Sequence, residues 1–230
     1  MAGKSEVSKI KLIIIALVKF LSGLLIVSLL LFVPAGTLRF WNAWLLIAAL
    51  FVPMFVAGGV LIFKNPKLME KRLNSSEKEP AQKGVIALSA VMFLGGFIVA
   101  GLDFRFKWLP LPLWLVVGAT VVFLFAYILY AEVLRENTYL SRTVEVQENQ
   151  KVVDTGLYAL VRHPMYLATL LLFLSMPIML GSALSFLLFL IYPALLVKRI
   201  RNEEEVLKAG LEGYEEYTQR VKYRLIPMVW

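Results

Sequence analysis

Five apolar stretches divide this chain and restrict its fold more than any other feature. Leu12 to Val33, Ala43 to Phe63, Gly84 to Leu102 and Leu113 to Leu134 each approach the ~20 residues that a helix needs to cross a ~30 Å hydrocarbon core. Lys19 interrupts the first, and Glu132 lies near the end of the fourth. The fifth, Met165 to Val197, runs for 33 residues without a charged side chain. As one straight helix it would reach ~50 Å at ~1.5 Å per residue, too long for a single crossing. Near its middle, Met179-Leu180-Gly181-Ser182-Ala183 supplies a stop and restart signal. Two short helices are therefore expected, at about 165–180 and 182–198, forming a tight hairpin. Pro177 and Pro193 lie inside them as sources of kinks, which membranes tolerate where neighbours re-satisfy the backbone.

Composition excludes the main alternatives. Apolar residues make up 60% and charged residues 17%, against ~45–50% and ~25% in a soluble domain. A soluble enzyme, a disordered tail and a fibrous protein are all ruled out. The expected fold is all-α, a polytopic integral membrane helical bundle of about six segments with a cytosolic C-terminal helix. The absence of cysteine excludes disulfides, thiolate metal sites and a cysteine nucleophile. His163 is the one histidine, so a histidine-rich metal cage is excluded too.

The net charge of +8 is mostly a topology signal. The N-terminus and segments 64–83, 135–164 and 198–230 hold 20 Lys and Arg residues, whereas 34–42, 103–112 and the 180–182 turn hold 3. By the positive-inside rule the first set is cytoplasmic. Attraction to anionic lipid is the lesser consequence. The first apolar run exceeds the ~7–15 residues of a signal-peptide core, and no small-x-small cleavage site follows, so a retained span is expected. Lys19 is expected to snorkel to the cytoplasmic interface. The 64–83 segment, with Asn74-Ser75-Ser76 and Pro80, reads as a polar connector.

Polar residues crowd both flanks of the 165–197 stretch. A hairpin returns His163 and Glu203 to one membrane face, where they can share a site. Pro164 suits the first turn of a helix. Arg162 and His163 then stand at a helix N-terminus, which favours an anion. Arg199 and Glu203 are spaced i, i+4 on one helical face, as are Arg201 with Glu205 and Glu204 with Lys208. A solvated helix stabilised by ion pairs is the plainer reading of that tract. Tyr158, Tyr166, Tyr214 and Tyr217 are equally compatible with an interfacial aromatic belt.

The run Gly156-Leu157-Tyr158-Ala159-Leu160-Val161-Arg162-His163-Pro164-Met165-Tyr166 resembles the isoprenylcysteine carboxyl methyltransferase family. So do Glu203-Glu204, Leu207, Tyr214-x-x-Tyr217, Arg220-Val221 and Arg224-Leu225-Ile226-Pro227. The phospholipid N-methyltransferases share the broader signature. The resemblance covers about 137–230 and implies S-adenosylmethionine as cofactor, no metal and a site at the cytosolic membrane surface. It implies cofactor contacts at Gln147, Val152, Val153, Tyr158, His163, Pro164, Met165 and Tyr166, and substrate contacts at Arg199 and Glu203. The glutamate tract is longer than the family's pair, so Glu203 and Glu204 both stand as the functional carboxylate, with Glu204 otherwise on the cofactor. On this reading, 1–134 supplies four spans and connectors, and 135–230 is the cofactor-binding and catalytic region. The expected partners are membrane lipids and a lipophilic substrate entering from the bilayer, with no nucleic acid. An NADPH-dependent sterol-type reductase and a non-enzymatic membrane scaffold are the alternatives.

Overall fold

The computed structural model describes residues 9–74, 77 and 79–230. Its helices are α1 (Lys9–Ala35), α2 (Trp41–Lys64), α3 (Pro66–Leu73), α4 (Pro80–Phe106), α5 (Leu113–Glu136), α6 (Pro164–Met179), α7 (Ala183–Phe189), α8 (Tyr192–Gly210) and α9 (Tyr214–Arg220). There is no strand among the described residues. The helices α1, α2, α4 and α5, and α7 joined to α8, are each long and apolar enough to cross a membrane. The shorter α6 completes the hairpin. The chain is thus a polytopic helical membrane bundle. Its outer surface is apolar, as lipid contact requires: Leu25, Val52, Phe55, Val91, Val121 and Ile128 are all exposed.

Close approaches between helices use small residues, which let backbones meet without a hydrophobic driving force. A Cβ on Gly101 would come within 2.6 Å of the Leu31 carbonyl oxygen, so glycine allows α4 to lie against α1. Gly96 accepts the Phe189 ring in the same way and seats α7 on α4. The Phe93, Phe97, Phe173 and Phe189 rings pack around this junction.

The hairpin forms as expected, with one difference in its second arm. Gly181 turns the chain at φ +73°, and Ser182 caps α7 by accepting from the Ser185 N–H at 3.1 Å. The buried Asp103 carboxylate locks this turn to the end of α4, accepting from Ser182 Oγ at 2.5 Å and the Leu109 N–H at 2.8 Å. Asn42 adds a bond from Nδ2 to the Met179 carbonyl at 2.9 Å. The second arm is not one helix ending near 198. It breaks after Phe189 and restarts as α8, which continues to Gly210. Pro193 sits in the first turn of α8, where its missing N–H costs nothing. Pro177 is accommodated inside the last turn of α6.

At the opposite end of the bundle, α3 lies across the helix ends. Lys19 reaches out of α1 and donates from Nζ to the Leu73 carbonyl at 2.5 Å, satisfying a free acceptor at the end of α3. Ser75 and Ser76 of the expected connector lie outside the described residues.

Candidate active site

Both flanks of the hairpin meet at the α3 end of the bundle, and the chain after α9 binds them together. The backbone N–H groups of Arg162 and His163 donate to the Tyr223 and Arg224 carbonyls, each at 2.9 Å. Arg162 donates from Nε to Glu204 Oε1 at 2.7 Å, and from Nη1 to the Val221 carbonyl at 2.7 Å. Arg224 donates from Nε to Glu204 Oε2 at 2.8 Å. His163 Nε2 lies 3.4 Å from Glu204 Oε1. Glu204 is only 4% exposed, and two guanidinium groups compensate its buried charge. A carboxylate of the protein itself, Glu204, thus lies against the Arg162 and His163 side chains at the start of α6. The expected Glu204–Lys208 pair does not form; Glu204 turns inward instead.

In front of this cluster lies a cleft. Its walls are the 137–153 loop, Tyr158, the first turn of α6, the Arg199–Leu207 face of α8, and Leu211, Tyr214 and Tyr217. The Tyr166 hydroxyl donates to Glu203 Oε2 and accepts from Arg199 Nε at 2.9 Å. Arg199 and Glu203 are thus joined through a tyrosine rather than paired directly along the helix. Arg199 also donates from Nη1 to Gln82 Oε1 at 3.2 Å and from Nη2 to the Arg142 carbonyl at 2.8 Å. The Glu77 carboxylate lies 3.9 Å from Nη2. Gln82, wholly buried, donates in turn to Asn202 Oδ1 at 2.5 Å.

The aromatic wall is held just as tightly. Tyr158 accepts at its hydroxyl from Asn137 Nδ2 at 2.9 Å, and its carbonyl accepts from the Tyr217 hydroxyl at 2.7 Å. Gly156 opens the 3₁₀ turn 156–159 at φ +52°, where a Cβ would fall 1.3 Å from a Glu136 carboxylate oxygen. That carboxylate accepts from the Leu157 N–H at 3.0 Å and fixes Tyr158 over the cleft. Burial pushes the Tyr158, Tyr214 and Tyr217 hydroxyls above their ordinary pKa, so all three stay neutral donors. Among the described residues, two buried side-chain polar atoms have no protein partner, the Tyr214 hydroxyl and Gln147 Oε1.

Of the residues singled out from the sequence, Val152, Val153, Tyr158, His163, Met165, Tyr166, Arg199 and Glu203 line the cleft. Pro164 is buried in the first turn of α6, away from the wall. Gln147 turns its Nε2 to the Tyr139 carbonyl. Glu204 lies behind the wall, in the arginine cluster. The sequence did not point to Gln82 or Glu77, and it marked Tyr214 only within the Tyr214-x-x-Tyr217 pattern, without a role. A glutamine in the first turn of an apolar helix carries no motif, and its target lies 117 residues away.

Fold and site together define a polytopic helical membrane protein with a polar cleft where the two flanks of its last hairpin converge. Residues 115–209 match the model of the isoprenylcysteine carboxyl methyltransferase family. Over this stretch, 95 of its 230 residues, the chain is similar to that family. It is also similar to the Delta(14)-sterol reductase TM7SF2 of Mus musculus, at 35% identity over 91 residues. The aligned part is 38% of this chain and 22% of that protein, so the chain spans about a fifth of the relative's length.

Proposed function

We propose that the protein is an integral-membrane methyltransferase that uses S-adenosylmethionine. Its acceptor is lipophilic, with the carboxylate of an isoprenylcysteine-like molecule favoured. The observation that carries this reading is the Tyr166 hydroxyl joining Arg199 to Glu203 on the wall of a cleft that the family-matched segment helps build. The cleft residues suit the cofactor. Tyrosine and valine side chains offer a flat apolar surface for a nucleoside, and a carboxylate is present for a cationic group. Val152, Val153, Tyr158, Met165 and Tyr166 would hold it. When bound, S-adenosylmethionine supplies a methyl group activated by its sulfonium.

The protein's own task is then positioning. Arg199 uses one N–H of each guanidinium nitrogen on Tyr166, Gln82 and Arg142, and a guanidinium has five donors. Those left over can orient an acceptor carboxylate. Glu203, held by Tyr166, balances the charge of Arg199. With an amine acceptor, as in phospholipid N-methylation, Glu203 would act as a base. A lipid tail would lie among the apolar helices, with membrane lipids as the other partners and neither nucleic acid nor metal involved. The cleft and both termini are cytoplasmic on this reading, in keeping with the 20-to-3 division of basic residues.

Similarity to a sterol reductase favours a second reading, reduction with NADPH. One experiment separates the two. The purified protein in lipid nanodiscs is incubated with methyl-labelled S-adenosylmethionine, prenylated thiol acids and phospholipid amines, and products are read by mass spectrometry. Melting is measured in parallel with S-adenosylhomocysteine and with NADPH. Label transfer and stabilisation by S-adenosylhomocysteine are expected. Stabilisation by NADPH alone, with no labelled product, would overturn the proposal.

A further inference from the structure

Five tyrosines line the cleft, and four of their hydroxyls have a protein partner, Tyr139 donating to the Asn149 carbonyl. Tyr166 serves Arg199 and Glu203, Tyr158 accepts from Asn137, and Tyr217 donates to the Tyr158 carbonyl. The hydroxyl of Tyr214 is buried and has no partner, although the residue is only 4% exposed. Burying an unpaired donor is unfavourable, and phenylalanine would fill the same space without that cost. Tyr214 packs with Leu207, Leu211, Tyr217 and Val152, and Glu204, Glu203 and Arg162 lie within electrostatic reach of its hydroxyl. A neutral donor beside two carboxylates suits an uncharged heteroaromatic base better than a ligand carboxylate, which those charges repel. Proteins read extruded bases in this way, by hydrogen bonds to the base edge and by packing on its faces. An adenine edge complements such a donor, because its ring nitrogen N1 accepts.

We infer that the Tyr214 hydroxyl donates a hydrogen bond to N1 of the adenine of a nucleoside ligand bound in the cleft. The inference rests on the proposed use of S-adenosylmethionine and assigns the end of the cleft that takes the base.

The test is direct binding to the full chain in nanodiscs, by calorimetry, with two probes. S-adenosylhomocysteine carries the N1 acceptor; S-inosylhomocysteine carries an N1–H donor and a carbonyl instead. The parent protein should prefer the adenine probe. Tyr214→Phe should bind S-adenosylhomocysteine about fivefold to tenfold more weakly and lose most of that preference. Its melting temperature without ligand should not fall, because the deleted hydroxyl has no partner in the fold. Binding of S-adenosylhomocysteine within about twofold of the parent overturns the inference. So does a preference for adenine that survives the substitution, or a lowered melting temperature of the unliganded variant. A parent protein that binds S-adenosylmethionine and S-adenosylhomocysteine not at all overturns the proposed function, and this inference with it.

Discussion

Glu203 and Glu204 are neighbours, but successive side chains leave an α-helix ~100° apart, and these two face different partners. Glu203 faces the cleft and shares the Tyr166 hydroxyl with Arg199. Glu204 faces inward to Arg162 and Arg224. Their glutamine variants should therefore fail in different ways. Glu204→Gln removes the charge that compensates Arg162, which is nearly inaccessible. Breaking a buried pair costs about 3–5 kcal/mol. A large fall in melting temperature in detergent is expected, with loss of activity following from loss of fold. Glu203→Gln should leave the melting temperature nearly unchanged and reduce methyl transfer on the order of 10²-fold, the scale of a misplaced reacting group. Arg199→Ala should behave like Glu203→Gln, and Arg199→Lys should rescue it poorly, because an ammonium lacks the planar fork. Glu205, exposed on the same helix, supplies the control, and Glu205→Gln should match the parent in both assays. If Glu203→Gln and Arg199→Ala transfer methyl groups within about twofold of the parent, the pair is structural and the acceptor binds elsewhere.

At the scale of elements, long apolar runs made the membrane helices legible: α1, α2, α4 and α5 each contain the stretch expected of them. The turn at Gly181-Ser182 was legible too, because glycine and a capping serine leave a local signature. The restart at Tyr192 was not fully so. A proline can kink a helix or begin a new one, and tertiary packing decides which. The reach of α8 to Gly210 was obscured by its change from an apolar to a charged surface halfway along. Within the cleft, spacing put Arg199 and Glu203 on one helical face and the resemblance singled out both of them and Tyr166, but their joining through a hydroxyl could not be read. Neither could the contribution of α4, since long-range contacts such as Arg199 to Gln82 leave no local trace. Gly156 gives an element-level test. Alanine there must adopt a left-handed backbone, costing roughly 1–2 kcal/mol, and its Cβ displaces the Glu136 carboxylate that fixes the 3₁₀ turn. Gly156→Ala should lower the melting temperature by several degrees and weaken S-adenosylhomocysteine binding through the shifted Tyr158. Unchanged melting would mean that the turn tolerates another backbone path.

At the scale of the whole molecule, the two ends of the bundle differ in chemistry. The end bearing the hairpin turn carries exposed Trp41, Trp44, Trp108 and Trp114, a belt suited to a membrane interface. The other end carries the cleft, the arginine clusters and α3. The helix order places 36–40, 107–112 and 180–182 at the tryptophan end, and 65–74, 137–163 and 211–230 at the cleft end. The sign of the orientation then follows from charge. With 20 basic residues in the N-terminus, 64–83, 135–164 and 198–230 against 3 in 34–42, 103–112 and 180–182, the cleft end should be cytoplasmic. Much of that bias is also structural, since Arg162, Arg199 and Arg224 are engaged in the site. Substituting the site arginines should consequently leave orientation intact, because Lys64, Lys67, Lys71 and other connector residues still bias the insertion. Reporter fusions at residue 110 and at the C-terminus should report opposite sides of the membrane, in the parent and in Arg199→Ala alike. Reporters on the same side would mean that α6 and the α7–α8 arm do not cross as a pair, and His163 and Glu203 could then not share one cleft. Opposite sides with the C-terminus external would keep the cleft intact but remove it from the cytoplasmic pool of S-adenosylmethionine, and the proposed cofactor would have to be abandoned.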